Sequence, residues 1–332
     1  MISSEDDSMT IEPRAKRTPF DFVQAVTAMF QTSGGRVFAF RLLFWTTAGM
    51  AIVTLIALPF ILPYYGPLLD SNQSTMQAVM KGEAPPTTDP DAMMAALKGM
   101  MLPGFLMMLG FWAAYAAGEA ALHRKVLLGH ENPKRPIRFG ADELRVMLAQ
   151  LGVWGAWFLV YIGGVIVIGL FAVIPVLGII LAILGVIFMM LMMVYLPVRL
   201  APAAALSVRN SRSHLIAARH ITKRRFWPLF GAYLVVFLGG YFLIYAVLLA
   251  VVILVTGDPN FLLSVYGMGD SLPSEVMAQA GERLNNPFYM IIGVLGVILY
   301  SFAYAFWLLS IAGVGAYAVK WWEQDDPVAP FD

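Results

Sequence analysis

Glu119 is the only carboxylate inside a long apolar segment of this chain, in the run Tyr115-Ala116-Ala117-Gly118-Glu119. An ionisable group at bilayer depth is by default a candidate functional residue, acting as a proton relay or a cation ligand. A competing reading is open. His123 and Arg124 follow within about one helical turn, so Glu119 could simply pair with the basic cluster that ends its segment. Arg199, between Pro197 and Pro202, poses a similar choice. It could hold a lipid phosphate, or it could snorkel or bind a nearby carbonyl; Arg41 is equally ambiguous.

Other chemistry is weakly signalled. His123, His130, His214 and His220 lack the i,i+4 spacing common in zinc pairs, and His214 and His220 fall on different helical faces. The thioethers of Met100, Met101, Met107, Met108, Met189, Met190, Met192 and Met193 could bind Cu(I), but fit irregular helix packing better. No phosphate-binding Gly-rich loop, His-Glu-x-x-His or Gly-x-Ser-x-Gly sequence is present. No apolar segment carries the paired carboxylates of an ion-driven carrier. We therefore expect no catalytic residue, metal or cofactor. The pairs Gly34-Gly35, Gly163-Gly164 and Gly239-Gly240 would permit close helix approach or a hinge.

The elements that must position these residues are written in the composition. The chain has 332 residues, 59% hydrophobic and only 13% charged, with net charge +1 and no cysteine. Ordinary globular domains carry about 25% charge. Half that charge, with apolar residues in long blocks, excludes a soluble enzyme, a disordered protein and a nucleic-acid binder. It indicates an all-α, polytopic transmembrane bundle. Disulfides and thiolate chemistry are excluded.

Six spans are expected: about 42–62, 100–122, 147–171, 177–198, 228–255 and 288–319. Pro59 and Pro63 should end the first, and a polar loop should run from Tyr64 to Asp91. Val146 to Val198 holds no charge in 53 positions, too long for one crossing, so a turn belongs near Ile174-Pro175. Pro228 should open span five. Span six is long enough to tilt or emerge, with Trp321 and Trp322 as interfacial anchors. Residues 1–36 and 321–332 are expected as cytoplasmic tails flanking a membrane domain at 37–320. The polar start, with its apolar run delayed past Arg41, gives no expectation of signal-peptide cleavage.

Lysine and arginine fix the orientation. With the N-terminus inside, 19 of the 22 fall on the cytoplasmic side, and only Lys81, Lys98 and Arg283 fall opposite. Three segments on the basic side have amphipathic spacing: Phe20–Gln31, Phe139–Leu151 and Ser213–Phe226. Each could be an interfacial helix preceding a pair of spans, giving three units at about 20–122, 139–206 and 213–320. The third segment is the most basic, and with Arg219, Lys223, Arg224 and Arg225 it suits anionic headgroups.

Val198-Arg199-Leu200-Ala201-Pro202-Ala203, followed by Ala217 to Trp227 (AARHITKRRFW) and span five, resembles the membrane domain of bacterial glycerophosphoryl diester phosphodiesterases. It is equally similar to the YciC-like integral membrane proteins. About 30 residues carry the likeness, with Arg224 where those proteins usually have Gly. The phosphodiesterase barrel, with its metal-binding carboxylates and catalytic histidines, has no counterpart here. The resemblance thus implies a membrane scaffold without hydrolase activity.

The reading that emerges is a non-catalytic scaffold or accessory subunit of the bacterial inner membrane. Its expected partners are anionic lipids and a protein partner or second copy, with no nucleic acid. Glu119, Arg199, Arg219, Lys223, Arg224 and Arg225 are the candidate headgroup or functional polar residues. The alternative is a small-molecule or lipid transporter or channel with a cavity near Glu119, Arg199 and the Gly pairs. A lipid-headgroup enzyme would need Glu119, His123, Asp142, Glu143, His214 and His220 to converge.

Overall fold

The computed structural model describes residues 19–31, 35–81, 90–129, 136–172, 174, 177–212, 215–223, 225–257, 282–283 and 285–325. Among them every regular element is helical. Helix α1 (Phe22–Val26) leads into a 3-10 turn at Ala28–Phe30. Then follow α2 (Gly35–Lys81), α3 (Pro90–His123), a π turn at Arg124–Leu128, and α4 (Ala141–Ala172). The remainder is α5 (Leu177–Leu200), α6 (Ala203–Arg209), α7 (Leu215–Thr222), α8 (Phe226–Thr256) and α9 (Pro287–Asp325). Six helices, α2, α3, α4, α5, α8 and α9, are long and apolar enough to cross a membrane, and the chain is read as a multi-pass membrane protein.

Local sequence explains most helix ends. Pro90 and Pro287 open α3 and α9, at a position where the missing N–H has no helical partner to lose. Gly257, at φ +70°, closes α8 and donates its N–H to the Ile253 carbonyl at 2.9 Å. Between α4 and α5, the Cα of Gly178 lies so close to the Phe171 carbonyl that a Cβ would collide with it. That close approach is what Gly permits in the expected turn; Ile174 occupies it, while Pro175 lies outside the described residues.

Several expectations change. The polar stretch after span one begins as helix: α2 continues through Pro59 and Pro63 to Lys81. Pro is tolerated in membrane helices when neighbouring groups re-satisfy the backbone. Ser74 and Thr75 both donate to the Ser71 carbonyl along the extension. Pro228 is the third residue of α8, still in the first turn, where its missing N–H costs nothing.

The segment Phe139–Leu151 is no separate interfacial helix but the start of the continuous α4. Its polar side chains Glu143 and Gln150 turn inward onto α3, so no break is needed to keep them wet. The basic stretch from Arg199 to Arg225 is not simply a loop. It contains α6, whose residues Ala203 to Val208 are all buried, and the amphipathic α7. Small side chains let α6 lodge among α3, α4, α7 and α9.

In the first amphipathic segment, Ala25, Ala28 and Met29 are buried against α9. Phe20 packs edge-on against Tyr317 and Trp321, at centroid distances of 5.5 and 4.8 Å. Trp321 is accordingly buried rather than a lipid-facing anchor. The described chain ends therefore meet at one end of the bundle, here termed proximal, as an even number of crossings requires.

The three core clusters lie toward that proximal end. The helices pair as α2–α3, α4–α5 and α8–α9. Toward the distal end large apolar side chains are mostly exposed, above all on α4 and α5. Among the described residues, a short helix precedes α2–α3 (α1) and α8–α9 (α7), while α4–α5 has no separate short helix before it.

Candidate functional site

The proximal half of α3 is rich in alanine, and Ala116, Ala117, Ala120 and Ala121 are all fully buried. Small side chains bring α2, α4 and α9 close, and that approach encloses Glu119, which is 4% exposed. Two turns of α3 place Trp112 and Glu119 on one face, opposite Gln150 of α4. The Trp112 indole N–H donates to Gln150 Oε1, and Gln150 Nε2 donates to Glu119 Oε2. Tyr115, one turn earlier, adds a hydrogen bond to the same carboxylate. Glu119 Oε1 lies 3.7 Å from His123 Nε2, which sits 3.3 Å from the Ala312 carbonyl of α9. With a carbonyl as its neighbour, Nε2 is the nitrogen placed to carry the proton. His123 Nδ1 and the Tyr233 hydroxyl are buried without a hydrogen-bond partner. Of the two readings of Glu119, its position fits neither fully: it is buried, and it is tied to α4 as well as to His123.

One turn further, Arg124 is 2% exposed. Its Nη1 donates to Glu143 Oε1 at 2.7 Å and reaches Asp142 Oδ2 at 3.4 Å. Asp142 also accepts from Arg145 at 2.8 Å and Arg138 at 3.4 Å. Both acids lie in the first turn of α4, where the helix dipole favours negative charge. This cluster clamps α3 to α4. The basic loop suggested by the sequence gives no hint that Arg124 is internal.

Arg199 is also engaged. Its Nε donates to Tyr195 Oη at 2.9 Å and its Nη1 to Thr222 Oγ1 at 3.3 Å. Its guanidinium lies over the Tyr195 and Phe226 rings, at 5.1 and 5.9 Å. It joins α5 to α7 and α8. Arg225 stacks over Trp321 at 4.4 Å. Arg219 and Lys223 are exposed, and neither forms an ion pair among the described residues. Arg224 lies outside those residues, as do His130 and His214, so the six-residue convergence needed for an enzyme is only partly placed. Among the placed members, Glu119 contacts His123 while Asp142 and Glu143 contact Arg124; His220 is exposed. No group of three or more His, Asp or Glu among the described residues could hold a metal ion.

The glycine pairs divide their labour. Gly164 abuts Met189 across α4–α5, and Gly240 abuts Trp307 across α8–α9, while Gly163 and Gly239 face open space. Gly34 lies outside the described residues.

Sequence reasoning passed over a further feature. A cavity of about 220 Å³ opens at the proximal end between α1 with its 3-10 turn, the π turn and the end of α9, with Lys125 and Lys320 in its lining. In the sequence both lysines serve as topology signals, and nothing local unites them.

No protein-family model, curated protein or solved structure matches this chain.

Proposed function

We propose that this chain is a six-span scaffold or accessory subunit of the bacterial inner membrane that binds anionic lipid headgroups through its proximal, cytoplasmic end. The observation that carries the reading is a division among cations. Arg124, Arg145 and Arg209 are spent on internal or inter-helix acids, Arg209 with Glu323 at 2.7 Å. Arg219 on the short α7 and Lys223 just after it are exposed at the same end. Basic side chains at the headgroup level attract anionic lipid by about 1 kcal/mol each. The engagement of Glu119 in tying α3 to α4 favours a scaffold over a carrier. The resemblance of the Leu-Ala-Pro-Ala and Thr-Lys-Arg-Arg-Phe-Trp stretches to bacterial membrane domains supports the same reading. In the structure they form the α5–α6 and α7–α8 junctions.

The test is native mass spectrometry of the full-length protein in detergent with mixed lipid. Phosphatidylglycerol or cardiolipin should be retained over phosphatidylcholine at low salt, and the preference should weaken in R219Q/K223Q. Equal retention of charged and neutral lipid would overturn the reading.

A further inference from the structure

We infer that the proximal cavity is a site for a phosphate group, lined by Lys125 and Lys320 and supplied by a lipid headgroup or a free phosphate. This rests on the anionic-lipid reading for its physiological source, though not for its chemistry.

The lining is mixed, but its polar residues are Lys125, Lys320, Gln24, Gln31, Gln324 and Tyr317, all able to donate hydrogen bonds. No carboxylate is among the described lining residues. Of the acids close by in sequence, Asp21 Oδ1 accepts from the Gln24 N–H at 2.9 Å, and Glu323 pairs with Arg209. Two cations beside neutral polar side chains suit an anion, and charge-assisted bonds to phosphate oxygens are the strong kind.

The walls are fixed rather than incidental. The Asp21 N–H donates to the Tyr317 hydroxyl at 3.1 Å, and Phe20 is wedged on Tyr317 and Trp321. Met29 is buried beside Gly313, where a side chain would crowd its backbone N–H. This holds the α1 wall on α9. The third wall is the π turn Arg124–Leu128, ended by Gly129 at φ +69°. Single π turns within helices occur frequently at functional sites. Here the wider turn accompanies a division between adjacent residues: Arg124 faces Glu143 of α4, while Lys125 lines the cavity, its Nζ 5.6 Å from the Phe38 ring centre. The cavity also sits where α3 and α9 finish their apolar spans, the level of a headgroup.

The experiment uses full-length protein in detergent, with thermal unfolding followed on titration of short-chain phosphatidic acid, phosphatidylglycerol, phosphatidylcholine and inorganic phosphate. The phosphatidic acid and phosphatidylglycerol arms should raise the midpoint and phosphatidylcholine should not. Inorganic phosphate matching the lipids would identify a free anion as the source; lipids alone acting would identify the headgroup. In K125Q/K320Q apparent affinity should fall at least about tenfold, from the loss of two charge-assisted bonds. K125R/K320R should retain binding, and K98Q, an exposed lysine toward the opposite end of α3, should leave this titration unchanged. An undiminished shift in K125Q/K320Q, or no shift with any phosphate-bearing probe, overturns the site. If the site variant binds normally while R219Q/K223Q loses lipid preference, the site falls and the anionic-lipid reading stands. If phosphate binds through the lysines without any lipid preference, the reverse holds.

Discussion

The two ends of the bundle are held together by different means. At the proximal end, Glu119, His123, Arg124, Glu143, Gln150 and Thr222 are buried; α3, α4 and α9 meet through polar side chains, and so do α5 and α7. At the distal end, partners meet through glycine against a branched or flexible side chain: Gly110 on Val53, Gly185 on Ile168, Gly296 on Val251. The remaining apolar surface is left outward, with Leu159, Leu170, Ile179 and Leu184 all exposed. Lipid tails are as apolar as leucine, so apolar burial does not drive helices together inside a bilayer. Close packing at small residues joins helices within and between the pairs, and the polar bonds and ion pairs that reinforce it between pairs are concentrated at one end.

The sharpest way to break this contrast is at the ion pair. Arg124→Gln strands Glu143 in the interior and should destabilise by about 3–5 kcal/mol, read by unfolding in detergent. R124M/E143M, which removes both charges, should recover most of that loss. If R124Q is as stable as wild type, the proximal clamp is not what ties α3 to α4.

A glycine comparison comes next. A Cβ on Gly240 would overlap the Trp307 ring, so Gly240→Val should cost about 1–3 kcal/mol by overpacking, while Gly163→Val, into open space, should stay within about 0.5 kcal/mol. Equal effects in the same unfolding assay would erase the distinction between partner-facing and lipid-facing glycines.

The smallest effect concerns the network around Glu119. Gln150→Leu removes the bond to Glu119 and the one from Trp112. Hydrogen bonds between membrane helices average about 0.6 kcal/mol, so roughly 1 kcal/mol is expected, together with altered Trp112 fluorescence in a variant whose other tryptophans are replaced. No spectral change would place Trp112 elsewhere.

The number of spans was legible because each is a long uncharged block, and the clustering of Lys and Arg accompanied it. The inward faces were not. Around a membrane helix, lipid-facing and core-facing residues are equally apolar, so periodicity loses the contrast that reveals a buried face in water. Gln150 was overlooked as one neutral polar residue in an apolar run, and its long-range partner Glu119 was visible only as an isolated charge. α6 was hidden because Ala203-Ala204-Ala205-Leu206 follows an apparent helix stop at Pro202. Lys125 and Lys320 illustrate the same limit: a site built from α1, the π turn and α9 exists only once the chain ends have met.

The proposed topology has six crossings, with α1, the end of α9 and the cation-rich proximal end on the cytoplasmic side. Because the chain has no cysteine, single substitutions can be labelled without background. Cysteine at Arg219 or Lys320, and at Lys98 or Arg283, should be treated with a membrane-impermeant maleimide in right-side-out and inverted vesicles. The account predicts labelling of the first pair only in inverted vesicles and of the second only in right-side-out vesicles; Arg219 and Lys320 on opposite sides, or both outside, would contradict it.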